Sequence, residues 1–87
     1  MKPPFVEVWT RVVRYEGHTF RMRNGDSVTY SVEGNAVRPD RTDYRLSRSN
    51  FEKAYALMPV SGPGGFQGAV RGPSYVWAIL NDSRISG

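Results

Sequence analysis

Eighty-seven residues, 39% hydrophobic and 13% aromatic, suffice for one domain with one core and are too apolar for a disordered chain. The absence of cysteine excludes disulfides, thiolate metal sites and thiol nucleophiles. The formal net charge is +4, and all basic residues except Lys2 and Lys53 are arginine, a balance that admits a polyanionic partner without requiring one.

The opening MKPPFVEVWTRVVRYEG lacks the apolar run of a secretory signal, and no stretch approaches the ~20 apolar residues of a membrane span. A cytoplasmic protein without a membrane partner is therefore expected. Phe5, Val8, Trp9, Val12 and Tyr15 recur at helical spacing, with Pro3 and Pro4 suited to a helix start and Gly17 to its end. Val, Trp, Thr and Tyr also favour strands, so residues 5–15 stay open between the two, with helix preferred.

HTFRMR alternates, placing Phe20 and Met22 on one face and Arg21 and Arg23 on the other. Asn24-Gly25-Asp26 is a hairpin signal. SVTYSVE alternates next, with Val28, Tyr30 and Val32 inward, followed by a tight turn at Gly34-Asn35. A short strand, AVR, precedes Pro39, and RTDYRLS alternates again through Thr42, Tyr44 and Leu46. These segments read as an antiparallel meander of about four strands with one buried face.

The period then changes. Ser49 and Glu52 form the S-x-x-E pattern of a capping box before Phe51, Ala54, Tyr55 and Met58, and Pro59 ends the helix. Residues 61–72 read as a glycine-rich loop, long for a connector and lacking both phosphate-loop motifs. Gly72 and Pro73 favour a buried helix over SYVWAIL. The whole, residues 1–87, is expected to be one small α+β domain in two layers, with helices packed on one sheet face and the order α-β-β-β-β-α-α.

Arg38, Arg41, Arg45 and Arg48 would align on a helix, but Pro39 and the surrounding alternation make that spacing coincidental. On strands, Arg38 and Arg45 join Arg21 and Arg23 on the open sheet face, a candidate polyanion surface that Glu33 and Asp43 dilute. Asp40 is expected to pair with Arg41. A second candidate is a generic anion site at the start of the last helix, built by Arg71, Gly72 and Ser74. His18 is the only histidine, so no metal centre and no cofactor are expected. Asp40 and Asp43 sit too close in sequence to serve as a nuclease pair, and neighbouring arginines would make them poor bases.

No convergent acid, base and nucleophile set is visible. The expected function is a non-catalytic binding module for a polyanion such as nucleic acid. The alternative is a protein-interaction or self-associating domain, a possible homodimer, suggested by the apolar run SYVWAIL and by uncovered sheet edges.

Overall fold

The segment open between helix and strand is helical in the computed structural model of the chain, which describes residues 2–66 and 68–86. Helix α1 spans Phe5–Arg14 and buries Val8, Trp9 and Val12 as one stripe. Burial of that stripe outweighs the strand preference of its β-branched residues, an effect of only about 1 kcal/mol.

The chain is α+β, and its order follows the expected one only approximately: a fifth strand and a last short helix are added, and the single meander expected divides between two small antiparallel sheets. Strands β1 (Phe20–Arg21) and β2 (Ser27–Val28) form a hairpin closed at Gly25, whose φ of 94° suits only glycine. Strands β3 (Tyr30–Val32), β4 (Ala36–Pro39) and β5 (Leu46–Ser47) form the second sheet in that order. The break falls at Thr29. Its N–H goes to the Asp40 carboxylate at 3.1 Å, and its carbonyl accepts from the Asp40 N–H at 2.8 Å. One extended segment thus changes partners there.

The outer edge of β3 is closed from within the chain. Glu16 accepts the Val32 N–H at 2.7 Å, and the Gly17 N–H donates to the Tyr30 carbonyl at 3.0 Å. Such capping removes the free donors and acceptors by which an edge strand recruits another chain.

Two local expectations are corrected. The strand expected over 41–47 shrinks to Leu46–Ser47, because pairing of Ala36 with Ser47 and Val37 with Leu46 leaves 40–45 as a long connection. Pro39 ends β4 where β5 no longer pairs, so its missing N–H disturbs no ladder. Helix α2, Arg48–Leu57, starts earlier than the Ser49–Glu52 pattern implies. Its N-cap is Ser47, whose hydroxyl accepts the Asn50 N–H at 3.2 Å. At its other end, the Lys2 ammonium donates to the carbonyls of Tyr55 and Met58, where a cation suits the helix dipole.

Helix α3, Pro73–Leu80, is the centre of the core: Val76, Trp77, Ala78, Ile79 and Leu80 are all buried. Its N-cap Gly72 has φ 60°, and a Cβ there would lie 2.9 Å from Leu46 Cδ2, so glycine is required twice over. The glycine-rich loop turns through a 3-10 segment, Pro63–Phe66, and is anchored by buried Phe66; Gln67 lies outside the described residues. A last short helix, α4 (Ser83–Ser86), has no counterpart in the sequence pattern and inserts fully buried Ile85. Tyr30 carries a hydroxyl into the core. Its hydroxyl donates to the Val12 carbonyl, and burial pushes its ionisation well above the usual phenol range. Among the described residues no helix is long and apolar enough to cross a membrane.

Candidate polyanion-binding groove

The four candidate sheet-face arginines are all exposed, but the divided sheet separates them into two pairs with different surroundings. Arg38, on β4, places Nε 2.9 Å from one oxygen of Glu33, and Arg45 places Nη1 3.8 Å from the other. One carboxylate thus answers both cations. Arg41 does not pair with Asp40 as expected. It reaches Asp26 at 3.4 Å and the Ser27 carbonyl at 3.2 Å, because Asp40 is already engaged with Thr29.

Arg21 and Arg23 flank the end of β1 and have no acidic partner among the described residues. Arg21 makes only a long contact, 3.5 Å, to the Gly25 carbonyl. Arg23 lies against the glycine-rich loop; a Cβ on Gly62 would sit 3.3 Å from its Nε. Three hollows share Arg23 as a wall. One of about 440 Å³ is lined by Arg21, Ser61, Trp77, Asn81 and Asp82. A second, about 330 Å³, adds Asn24 and Ser74, and a third, about 420 Å³, runs over Gly62, Gly64 and Gly65. They make up the groove region around Arg23, lined from the β1–β2 turn, the loop, α3 and the residues just after it. It offers two guanidinium forks, the hydroxyls of Ser61 and Ser74 and the amide of Asn81, while the Asn24 amide is engaged with Asp26 at 3.1 Å; Trp77 is too buried to provide a stacking platform.

The second candidate site is redistributed. Pro73 has no N–H, and the N–H groups of Tyr75 and Val76 bond the Gly72 carbonyl, so the Ser74 N–H is the first-turn donor without a partner among the described residues. Ser74 faces Arg23 and Asn24 across the 330 Å³ hollow. The Arg71 guanidinium lies instead 4.5 Å over the Tyr44 ring, and both Arg71 backbone groups bond the Asn50 amide at 2.9 Å. Arg71 therefore fixes the approach to α3, while Ser74 belongs to the groove.

Asp82 is the acid on the groove's rim, and Arg84 occupies it. Arg84 Nε and Nη2 meet its two oxygens at 2.9 and 3.0 Å, and Nη2 also donates to the Thr19 carbonyl at 2.7 Å. These hydrogen bonds hold the Asp82 carboxyl below the usual carboxylate range and raise the arginine's own ionisation further. The guanidinium also stacks on Phe20 at 4.3 Å. Elsewhere, Asp40 and Asp43 border a hollow of about 440 Å³ with Thr29, Ser31, Arg38 and Thr42. Among the described residues no three His, Asp or Glu side chains converge as metal ligands.

Asn24, Ser61 and Asn81 are groove residues that the sequence pattern does not announce. Their spacing carries no signal, since three separate segments bring them together. No family model, curated protein or solved structure matches the chain.

Proposed function

We propose that the chain is a non-catalytic binding module for a polyanion, with nucleic acid the favoured partner, and that it grips phosphates through Arg21 and Arg23 rather than through the whole sheet face. The observation that carries this reading is the pair of exposed arginines with no acidic partner among the described residues, set in an open groove beside Ser61, Ser74, Asn24 and Asn81. Guanidinium groups suit phosphate oxygens, and short neutral donors add backbone contacts without base readout. A groove without an exposed ring favours contact with the phosphate backbone over base stacking.

The test is fluorescence anisotropy of labelled single-stranded and duplex DNA with the wild type, Arg21→Gln/Arg23→Gln and Arg38→Gln/Arg45→Gln. Both variants lose the same net charge, so only location differs between them. Wild-type affinity should fall with salt with a log–log slope of roughly −1.4 on single strands to roughly −1.8 on duplex, from about two phosphate contacts. The groove variant should lose about tenfold in affinity or more, and the sheet variant only about twofold, by the same counterion argument. Equal losses in the two variants, or no binding at low salt, would reject the groove.

Within the SYVWAIL run, Val76 to Leu80 are buried inside the chain.

A further inference from the structure

The apolar surface that the fold leaves open lies on α1. Val6 is 61% exposed and Val13 42%, two of the three exposed large apolar side chains among the described residues. Seven residues apart on a helix, they share one side to within about 20°. Thr10 sits between them, and its hydroxyl donates to the Val6 carbonyl at 2.9 Å, so its polar atom is turned to the backbone. The ridge Val6–Thr10–Val13 is thus β-branched throughout, and the core does not use it, since α1 packs inward through Val8, Trp9 and Val12.

Charges flank the ridge in a self-complementary order. Glu7 stands in the first turn and Arg14 in the last, both beside the ridge in one shallow hollow that Arg11 also lines, with the Arg11 guanidinium turned to the Ile85 carbonyl at 3.0 Å. Arg14 has no acidic partner among the described residues, and Glu7 holds Arg11 only at 3.9 Å.

We propose that this ridge docks on the same ridge of a second copy of the chain, the two α1 helices running antiparallel about a two-fold axis near Thr10. Val6 then meets Val13 of the second copy, Glu7 comes beside Arg14 of the second copy, and each contact is made twice. A parallel pairing would set Glu7 against Glu7 and Arg14 against Arg14. A ten-residue helix is about 15 Å long and offers less than the roughly 800 Å² per partner of a standard interface, so the pairing is weak and reversible. The ridge shares no residue with the arginine groove, so the two proposals stand or fall separately.

Sedimentation velocity of the whole chain, from roughly 10 µM to roughly 1 mM, covers the range in which an interface of this size dissociates. A concentration-dependent dimer is expected. Val13→Glu should weaken it by about tenfold or more, because it sets a charge against an apolar ridge. Arg14→Glu should also weaken it, and Glu7→Arg/Arg14→Glu should restore association by rebuilding the pair with its signs exchanged. Circular dichroism confirms folding of each variant, since all three positions are exposed. A monomer throughout, a dimer indifferent to Val13→Glu, or a double reversal no better than Arg14→Glu would overturn the proposal.

Discussion

Arg38 and Arg45 reach their surface beside an acid, whereas Arg21 and Arg23 reach theirs beside amides, hydroxyls and glycines. Glu33 serves both Arg38 and Arg45, at 2.9 and 3.8 Å. Arg21 and Arg23 face a loop that carries no carboxylate and an α3 terminus whose one acid, Asp82, is held by Arg84. Exposed ion pairs contribute only about 0–1 kcal/mol to stability, but they cancel the local field that would attract an anion. Whether an arginine is available to a ligand is therefore decided by neighbours distant in sequence.

The largest test of this contrast is to release the rim acid. Arg84→Met removes the hydrogen bonds to Asp82 and Thr19 and the stacking on Phe20, and should cost about 2 kcal/mol, or roughly 10 °C in Tm for a domain of this size. It also leaves an uncompensated carboxylate beside Arg21 and Arg23, so affinity for DNA should fall although neither arginine is touched. The pH dependence has a definite sign. The folded-state ionisation of Asp82 is depressed, so its contribution is full above the unfolded carboxylate value near ~4 and is lost as pH falls through the folded value. Thermal melts between about pH 5 and about pH 2 should show that acid loss in the wild type and a smaller one in Arg84→Met.

A smaller effect is expected from the loop wall. A Cβ on Gly65 would sit 2.5 Å from Val60 Cβ, and the Val60 carbonyl accepts the Trp77 indole N–H at 3.0 Å. Gly65→Ala must displace Val60 and should cost about 1–2 kcal/mol, in the range of overpacked sites. Because it moves the groove wall and not the sheet, DNA affinity should drop while the Arg38–Glu33 surface is unaffected. Melting curves and anisotropy together check this.

The sequence was most legible where period and burial agree. The Gly25 turn and the Gly72–Pro73 start of α3 follow from local rules, and so does the exposure of Arg21, Arg23, Arg38 and Arg45; the helical stripe of α1 was visible but left open against strand-forming composition until burial decided it. It was least legible where a side chain from afar competes with a local pattern. Ser47 rather than Ser49 caps α2 because β5 delivers the chain to the helix two residues earlier. Thr29 leaves its ladder for Asp40, and that engagement sends Arg41 to Asp26. The alternation of Thr42, Tyr44 and Leu46 is real as a pattern, but the register with β4 leaves it only two residues of strand. Groove residues such as Asn24, Ser61 and Asn81 had no readable spacing, because each comes from a different segment.

The smallest expected effect is the sharpest comparison of the two surfaces. Glu33→Gln keeps the side chain's size and leaves its backbone pairing with Ala36 intact, yet removes the charge that Arg38 and Arg45 share. If availability rather than arginine count governs binding, this change should make the sheet face resemble the groove. DNA affinity should rise by about threefold at low salt, and the log–log salt slope should steepen by roughly one to two as two further cations meet phosphates. Stability should shift by less than about 1 kcal/mol, as for other exposed pairs. The control is Glu52→Gln on α2, which raises the net charge by the same unit but releases only Arg48, held at 4.0 Å. Added net charge alone strengthens anion binding in both variants equally; local release strengthens it more in Glu33→Gln, and in that variant alone steepens the slope beyond one contact. Anisotropy titrations of both at several salt concentrations separate these outcomes, and identical behaviour would reduce the contrast between the arginine pairs to net charge.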